Sequence, residues 1–462
     1  MLRTSRYNLT VPIEQGVVLY NSRTGASRRF SGVDARDFAS ALSCYPARID
    51  ETEIDQLLLA SLVEGGFLRP PEADELAEIR SLYERAKADA AIIVTITLTN
   101  NCNLGCYYCF QKRDESSLGY GNKAEICRHV EEILHSSGKR SLHVDWYGGE
   151  PMLNQNFLNE LSQELQQLCE QMQVRYSASM LSNGTLWPFD PVAFVTANRI
   201  ERVQLTFDGY EGSHSKVRRP RRGFESQEPF EALIALVSLL KDHITLDLRF
   251  NLSPTNADDL LKLCQFGIEH GWFASPSRAK LQIAKLTPYS QEVDFLRKVE
   301  LSYAEFEEVR DRVRHVVPEP FLDRTAELDR YPSPRDSVCA AIAQDSVVIG
   351  ADGKLYNCGL QVTEPHRSVG ELHGLASDAQ LGEGRFWSEF DPTHGQRCGK
   401  CSFLPLCWGA CPKLHLEGDT ESLKQQSDFW RAMLPRRLAA SLDLKLEPGF
   451  AFTDKDQFKT GL

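Results

Sequence analysis

Nine of the thirteen cysteines in this chain fall into three clusters, and this grouping constrains the fold more than any other feature of the sequence. The chain has no uncharged apolar run of about 18 residues and no secretory signal at its start, so we expect a cytoplasmic protein that does not enter a membrane. Disulfides rarely persist in the cytoplasm, where grouped thiols usually hold metal or take part in chemistry. The grouped cysteines are therefore expected to hold metal or to take part in chemistry. The remaining cysteines are each expected to be small buried apolar residues: Cys44, Cys127, Cys169 and Cys264.

The chain is acidic, with a formal net charge of −12, and its 42% hydrophobic and 25% charged residues are ordinary for a globular protein. Binding to a nucleic-acid backbone depends on clustered lysine and arginine side chains, so nucleic acid is not expected as a partner. A basic run at residues 216–222 is interpreted as a local contact with an anion.

Segments of strand and helix character alternate between residues 91 and 290, which predicts a parallel sheet with crossover helices. At 462 residues the chain is long enough for two or three domains. We expect an α/β fold in which six strands form an open, partial barrel of the TIM type. The predicted strands are 92–98, 142–146, 176–181, 202–207, 245–251 and 280–283.

The regions on either side of this core have different sequence patterns. Residues 1–90 are predicted to form a small separate domain, with strands at 7–12, 16–20 and 27–30 and helices at 34–41, 51–63 and 72–86. Residues 291–335 are charged and helical, as in a bridge between domains. Short strands, turns and cysteines are expected in residues 336–420, and a polar helix and tail in residues 421–462.

The first cysteine cluster, Cys102-x3-Cys106-x2-Cys109, directly follows the first predicted barrel strand. Thiolates at this spacing can bind three corners of a [4Fe–4S] cube and leave the fourth iron open, as chemistry on a bound small molecule requires. A zinc knuckle is the structural alternative. Structural zinc sites usually have four protein ligands, however, and no fourth cysteine or histidine lies nearby. The cluster also stands where sites in parallel α/β folds lie, at a strand C-terminus.

This spacing resembles that of the radical SAM superfamily, whose cluster binds S-adenosylmethionine (SAM) and reduces it to a 5′-deoxyadenosyl radical. Tyr108 matches the aromatic position that lies against the adenine in the family. After the second strand, Gly148-Gly149-Glu150-Pro151 resembles the turn that accepts hydrogen bonds from the methionyl ammonium. An ammonium needs acceptors, and glycine lets the backbone come close.

Two later segments match the family in the same order. Residues 182–186 (SNGTL) resemble its T-N-G-T-L segment, with serine in place of threonine. Residues 206–209 (TFDG), followed by His214 and Arg218, resemble its S-x-D-G and H-x-x-x-R segments. A guanidinium can bind a carboxylate through two hydrogen bonds, so Arg218 is the expected partner of the SAM carboxylate, whereas His214 could equally be a packed or capping histidine. The resemblance implies SAM contacts from Ser182, Asn183, Thr206, Asp208 and Arg218.

Six further cysteines lie towards the C-terminus at spacings that are hard to explain without metal. They resemble the SPASM extension of radical SAM enzymes, which holds up to two auxiliary [4Fe–4S] clusters. A zinc ribbon built from closely spaced cysteine pairs is the alternative. The resemblance implies that Cys339, Cys358 and Cys411 bind the first auxiliary cluster, and Cys398, Cys401 and Cys407 the second.

The family pattern ends with one more cysteine for the second auxiliary cluster, and this chain has none after Cys411. Ser427 and Asp428 lie near the expected position. An oxygen ligand could complete the cluster, the cluster could keep an open or labile iron, or it could fail to be built. The first auxiliary cluster also has only three cysteines, so an iron open to substrate or water is conceivable there too.

The N-terminal region resembles the RiPP recognition element, a winged-helix-like module that captures the leader of a precursor peptide. The leader would add as a strand beside residues 26–30. A purely structural N-terminal cap is the alternative.

Together these features predict an enzyme, a radical SAM/SPASM peptide maturase that forms a thioether or carbon–carbon cross-link in a ribosomally made precursor peptide. The expected partners are that precursor and an external electron donor, a flavodoxin or a ferredoxin. A maturase that forms formylglycine in sulfatases and a non-catalytic metal-containing peptide scaffold are the alternatives. The sequence identifies no catalytic base.

Overall fold

The computed structural model describes residues 1–323 and 331–459. The chain forms two compact units, of which the first contains residues 1–90, 324–344 and 388–462 and the second contains residues 91–323 and 345–387. Residues 324–330 of the predicted bridge and 460–462 of the predicted tail lie outside the described residues. The five predicted domains remain predictions, because the two units are defined by compactness and not by function.

Residues 1–90 form two small antiparallel sheets and three helices. Their bounds are β1 (Leu2–Thr4), β2 (Asn8–Ile13), β3 (Gly16–Asn21), β4 (Ser27–Phe30), α1 (Ala35–Ser43), β5 (Arg48–Ile49), α2 (Gln56–Glu64), β6 (Leu68–Arg69) and α3 (Glu75–Asp89). One sheet has the order β2-β3-β4 and the other β5-β1-β6. The strands of the second sheet have two or three residues each, too short for a periodic pattern, and the sequence did not reveal them.

The predicted helix over 51–63 is interrupted. A short 3-10 helix spans Glu51–Glu53, and α2 begins only after Asp55. The Asp55 carboxylate accepts hydrogen bonds from the backbone N–H groups of Leu57 and Leu58, which would otherwise lack partners at the helix start. This side-chain cap fixes the helix start five residues later than the hydrophobic pattern predicted.

The second unit contains the barrel. Its elements are β7 (Ile92–Thr97), α4 (Tyr120–Ser137), β8 (Ser141–Tyr147), α5 (Gln155–Gln171), β9 (Arg175–Ser182), α6 (Pro191–Ala197), β10 (Ile200–Phe207), α7 (Gly212–Val217), α8 (Pro229–Leu240), β11 (Thr245–Leu252), α9 (Ala257–Glu269), β12 (Ala279–Lys285), α10 (Tyr303–Arg314), β13 (Val347–Ile349), β14 (Lys354–Tyr356), β15 (Gly370–Glu371) and α11 (Asp378–Glu389), whose last residues belong to the first unit.

Nine strands form one sheet in the order β12-β11-β10-β9-β8-β7-β13-β14-β15. Strands β7 to β12 are parallel and correspond to the six predicted strands, which confirms the α/β class and the partial barrel. The sheet also continues past β7, where Val347 of β13 lies in parallel register with Val94. Sequence patterns did not predict this extension, because β13 has three residues and lies far along the chain from its partner.

Apolar side chains fix the sheet between its helices. Ile92, Val94 and Ile96 of β7 are fully buried, and Ile126 and Val130 of α4 pack into the same core. Burying such a side chain contributes roughly 1.5–3 kcal/mol, and strands covered on both faces read as apolar runs. The sheet is therefore a rigid base for the loops at its edges.

The C-terminal part of the first unit is helical. It contains α12 (Leu404–Cys407), α13 (Pro412–Glu417), α14 (Thr420–Ser441) and α15 (Asp454–Gln457). Leu434 and Leu438 of α14 pack into one core with Leu9 of β2. The chain also has further 3-10 helices at Pro151–Asn154, Gln291–Val299, Glu319–Phe321, Ala340–Ile342, Gly359–Gln361, Pro365–Arg367, Pro392–His394 and Cys398–Lys400.

The four isolated cysteines were all predicted to be buried, and for Cys44 this is wrong. Cys169 and Cys264 are buried and Cys127 is half-buried, but Cys44 is exposed because it follows the last turn of α1. Among residues 1–323 and 331–459, no helix is both long enough and apolar enough to cross a bilayer.

Candidate functional site

The predicted site residues lie at the carboxyl edge of the parallel sheet. Residues 99–109 follow β7, residues 148–151 follow β8 and residues 183–186 follow β9. Parallel strands end at the same edge, so these loops meet there. They surround an open cleft. The predicted residues that line it are Cys102, Cys106, Tyr108, Cys109, Gly148, Gly149, Ser182, Asn183, Thr206 and Arg218.

Three predicted residues, Glu150, Pro151 and Asp208, lie behind this lining and are buried. Pro151 starts the 3-10 helix Pro151–Asn154, a position where a missing N–H costs nothing. The Glu150 and Asp208 carboxylates each accept several hydrogen bonds within the chain, and these bonds show which segments each residue holds in place.

The Gly148-Gly149 pair brings the loop after β8 against the loop that carries the cysteines. The backbone N–H groups of Gly149 and Glu150 donate to the carbonyls of Thr99 and Asn101 at 2.8 and 3.0 Å. A Cβ at Gly149 would stand 2.3 Å from the Asn101 carbonyl oxygen, and one at Gly148 would stand 2.4 Å from that of Thr99. Only glycine fits at these two positions without moving the backbone.

Glu150 joins the loops after β8 and β9. One carboxylate oxygen accepts from the Met152 N–H at 3.1 Å and the Ser182 hydroxyl at 2.9 Å, and the other accepts from the Asn183 N–H at 2.7 Å. Burial raises the pKa of Glu150 to about 7, although these hydrogen bonds and Arg218 oppose the shift. Each carboxylate oxygen has two lone pairs, so the second oxygen can accept one more donor.

Asn183 and Asn103 connect the loop after β9 to the cysteine loop. The Asn183 amide donates to Asn103 Oδ1 at 2.7 Å and lies 3.8 Å from Cys102 Sγ. The Asn103 amide in turn donates to the Thr185 hydroxyl and to Gln227 Oε1 at 2.7 and 2.6 Å. Asn103 is fully buried, and the sequence analysis did not identify it. A polar residue between two cysteine ligands was the available signal.

Tyr108, Asp208 and Arg218 form one hydrogen-bonded cluster with Asn251, which lies near the end of β11. The Tyr108 hydroxyl donates to Asp208 at 2.6 Å, and Arg218 Nε pairs with the same carboxylate. Arg218 Nη2 donates to the Tyr108 oxygen at 2.8 Å, and the Asn251 amide donates to Asp208 at 3.0 Å. The carboxylate partner of Arg218 in this structure is therefore Asp208. Asn251 was not predicted, although a polar residue near a barrel-strand end was the signal for it.

The basic run 216–222 contacts the cysteine loop. Arg221 donates to the Asn101 side chain at 2.8 Å and to the Cys102 carbonyl at 2.9 Å. The Gly105 N–H donates to the Arg219 carbonyl at 2.7 Å. The anion that this run contacts in the structure is the Asp208 carboxylate, which pairs with Arg218. Arg221 instead binds the backbone of the cysteine loop.

His214 is a packed histidine. It is fully buried, lies between Phe207 and Phe230, and accepts a hydrogen bond at Nδ1 from the Asp208 N–H at 3.3 Å. Burial lowers the pKa of His214 to about 3, so the ring is neutral at physiological pH. Its role is to support the 206–209 turn.

Two thiols of the first cluster, Cys102 and Cys106, lie in poorly solvated positions. Burial raises the pKa of Cys102 to about 12, and the Glu150 carboxylate adds to the shift. Burial also raises the pKa of Cys106. Because a metal binds the thiolate and not the thiol, loading this loop with iron must release protons.

Cys398, Cys401 and Cys407 line a second cavity, inside the first unit. Cys398 begins a 3-10 helix, Cys401 follows it and Cys407 ends α12. Ser427 of α14 and Gln457 of α15 line the same cavity. Asp428 is absent from this lining; it is half-exposed and pairs with Arg431.

The remaining predicted ligands belong to different units and are described separately. Cys339 is exposed and precedes the 3-10 helix Ala340–Ile342. Cys411 is the N-cap of α13, and burial raises its pKa. In the second unit, Cys358 precedes the 3-10 helix Gly359–Gln361. Their grouping into one cluster remains a prediction.

Across the described ranges, no three histidine, cysteine or carboxylate side chains converge as the ligands of one metal ion do. A [4Fe–4S] cube takes each thiolate on a different iron, so thiols spread around a cavity fit a cluster better than they fit zinc.

Comparison with known proteins agrees with this geometry. Residues 96–267 match the radical SAM superfamily. This part of the chain is a radical SAM domain. Its cofactors are a [4Fe–4S] cluster and SAM, and the three thiols around the open cleft fit that cluster.

The radical SAM domain also has curated relatives. The sporulation killing factor maturation protein SkfB of Bacillus subtilis (strain 168) is 23% identical over 216 residues, 46% of this chain and 49% of SkfB. The chain thus spans about half the length of SkfB. A serine-type anaerobic sulfatase-maturating enzyme of Klebsiella pneumoniae is 24% identical over 336 residues, 67% of this chain and 79% of that enzyme.

A solved structure shares the fold. It is native anSMEcpe with bound AdoMet and Cp18Cys peptide, with a TM-score of 0.54 and 17% sequence identity, covering 77% of this chain and 100% of that one.

Proposed function

We propose that this chain is a radical SAM peptide maturase that oxidatively cross-links a ribosomally made precursor peptide. The observation that carries the proposal is the convergence of three cysteines, the Gly148-Gly149 turn and Asn183 on one open cleft. When bound, the [4Fe–4S] cluster and SAM supply a 5′-deoxyadenosyl radical able to abstract hydrogen from a peptide side chain. Support for a peptide comes from SkfB, a maturation protein, and from the peptide bound to anSMEcpe.

The chain's own residues would hold SAM in place and control its surroundings. The second oxygen of Glu150 has one lone pair for an ammonium, while its other bonds keep the loops after β8 and β9 together. Asp208 and Asn251 fix the Tyr108 side chain from behind, so that its ring forms one wall of the cleft. These contacts orient the ligand rather than transfer protons.

We further propose auxiliary clusters at the C-terminal cysteines and a leader-binding role for residues 1–90. Strand β4 is an edge strand of its sheet, and an edge strand can pair with an added peptide strand. An external reductant, a flavodoxin or a ferredoxin, would supply the first electron. Co-expressing a precursor with and without its leader tests this role, since modification should require the leader.

Formylglycine formation is the second candidate, and the similarity to sulfatase-maturating enzymes favours it. In this chain residues 353–358, Gly353 to Cys358, form the G-x4-C element of the SPASM extension. Sulfatase-type maturases carry an aspartate, a proposed base, directly after the cysteine of this element. Gly359 occupies that position here and offers no side chain for a base. The cross-linking maturase is therefore the better supported of the two.

The first experiment is anaerobic reconstitution with iron and sulfide, followed by dithionite and SAM. The enzyme should release 5′-deoxyadenosine, and Cys106→Ala should abolish the release. A non-catalytic scaffold would release none in either form. The modified precursor peptide then separates the two reactions. Formylglycine carries an aldehyde that reacts with a hydrazide, and a cross-linked peptide does not. Mass alone identifies only formylglycine made from cysteine, which loses sulfur, because formylglycine made from serine loses two hydrogens as a cross-link does.

A further inference from the structure

The second cavity has three cysteines, whereas a [4Fe–4S] cube has four irons. This inference rests on the auxiliary clusters of the proposed function and concerns the group that meets the fourth iron. The cavity lining already offers a hydroxyl and an amide next to the cysteines, on Ser427 and Gln457.

Ser427 lies close to one of the thiols. A single amide nitrogen, Nε2 of Gln457, lies 3.4 Å from Cys401 Sγ and 3.3 Å from Ser427 Oγ. Cys401 Sγ and Ser427 Oγ therefore both lie within hydrogen-bond distance of the same nitrogen atom. Asp428, the other oxygen donor near this position in the sequence, points elsewhere, into an ion pair with Arg431.

The Gln457 amide donates to both groups. Its NH₂ group would therefore remain a hydrogen-bond donor to a thiolate and an alkoxide, the forms that bind iron.

This orientation has a cost. Gln457 is only 3% exposed, and its Oε1 has no hydrogen-bond donor within residues 1–323 and 331–459. Leaving a buried acceptor unpaired costs about 1–3 kcal/mol.

His415 also lines the cavity but is less suited to bind iron, because its Nε2 already forms a hydrogen bond with the Gly409 carbonyl at 2.6 Å.

We propose that Ser427 Oγ is the fourth protein ligand of the second auxiliary cluster, and that Gln457 is a positioning residue that holds it beside the Cys401 thiolate. On binding, the hydroxyl proton is released to water and the alkoxide occupies the fourth iron, with no change in oxidation state. Oxygen is a harder donor than sulfur and stabilises oxidised iron, so this cluster should have a lower reduction potential than one with four cysteines.

The test uses the full chain in a parent variant with Cys102, Cys106 and Cys109 changed to alanine, which removes the first cluster and leaves the auxiliary signals. Iron and sulfide content, Mössbauer spectra, EPR spectra and midpoint potentials are measured for the parent and for Ser427→Ala, Ser427→Cys and Asp428→Asn. Ser441→Ala is the matched control, because Ser441 lies at the far end of the same helix and donates to the Leu438 carbonyl.

Ser427→Ala should lose about one iron per chain on oxidation and show a three-iron EPR signal. Ser427→Cys should keep all its iron, shift the EPR spectrum and raise the potential, so the test does not depend on one variant that could misfold. Gln457→Met should lower the potential, because it removes a hydrogen bond to the cluster sulfur. Asp428→Asn and Ser441→Ala should match the parent.

Three results would overturn the proposal. They are unchanged iron and spectra in both Ser427 variants, iron loss in Asp428→Asn alone, and a parent that holds a single auxiliary cluster. Release of 5′-deoxyadenosine by the protein with its first cluster intact is measured separately. It therefore distinguishes failure of this ligand assignment from failure of the proposed function.

Discussion

Gly149→Ala is the sharpest test of how the cysteine loop is held. The added Cβ would stand 2.3 Å from the carbonyl oxygen of Asn101, 2.7 Å from its carbon and 2.9 Å from the carbonyl oxygen of Asn100. All three are backbone atoms, so no side chain can rotate away. One of the two loops must move, and the hydrogen bonds that Gly149 and Glu150 donate to Thr99 and Asn101 are strained or lost.

The expected cost follows from these contacts. Two lost hydrogen bonds at about 0.5–1.5 kcal/mol each, or an overpacking penalty of about 1–3 kcal/mol, both indicate a destabilisation of roughly 1–3 kcal/mol. A domain of 150–250 residues loses roughly 2–4 °C of melting temperature per kcal/mol, so a fall of roughly 2–12 °C is expected. The metal-free protein is compared first, by thermal unfolding.

Gly121→Ala is the matched control. Gly121 lies in the first turn of α4 and its added Cβ would meet nothing within 4 Å, so alanine should leave the melting temperature unchanged or raise it slightly. Iron content after reconstitution and 5′-deoxyadenosine release should fall in Gly149→Ala and stay unchanged in Gly121→Ala. If Gly149→Ala has the melting temperature of the wild type and binds the same amount of iron, the close approach of the two loops does not determine where the cysteines lie.

Three further predictions concern the buried charges and the loop anchors. Asp208→Asn leaves the buried Arg218 without its counter-charge and should destabilise the chain by about 3–5 kcal/mol in urea unfolding, while an unchanged urea midpoint would contradict the ion pair. Burial raises the Glu150 pKa from 4.5 to about 7, so the folded protein keeps this proton to a higher pH than the unfolded chain does. As pH rises from 4.5 to 7, the free energy of unfolding of the wild type should therefore fall by up to roughly 3 kcal/mol relative to that of Glu150→Gln. A difference that does not change with pH would refute this. Arg221→Ala removes two hydrogen bonds to the cysteine loop and should speed loss of iron to a chelator, whereas the exposed neighbour Arg222→Ala should not.

The barrel could be predicted from the sequence because its strands are buried on both faces. The segment 92–98 is an apolar, β-branched run, and 245–251 alternates apolar with polar residues, so both have strand character. Parallel strands also need the helices that lie between them. The strands β13 to β15 and the sheet of β1, β5 and β6 could not be predicted. Each has only two or three residues, and their pairing is fixed by distant partners such as Val94.

The candidate site was predicted as a set of segments, not as a set of contacts. Strand ends meet at one edge of a parallel sheet, so the order of the motifs was enough to place Cys102, Gly149 and Ser182 around one cleft. Asn103 and Asn251 were missed, because single asparagines carry no pattern until the fold brings their partners within hydrogen-bond distance.

The charged residues of the site show why contacts need the fold. The sequence analysis expected Glu150 and Arg218 to reach outward to SAM, yet the structure gives both of them partners within the chain. Glu150 accepts three hydrogen bonds from the loops after β8 and β9, and Arg218 pairs with Asp208 and Tyr108. A buried charge without such partners would cost several kcal/mol, so the chain must neutralise these groups before any ligand arrives. A ligand can therefore add to this network only through lone pairs and N–H groups that the internal bonds do not use. We expect the loops, more than these two charges, to determine how SAM is held.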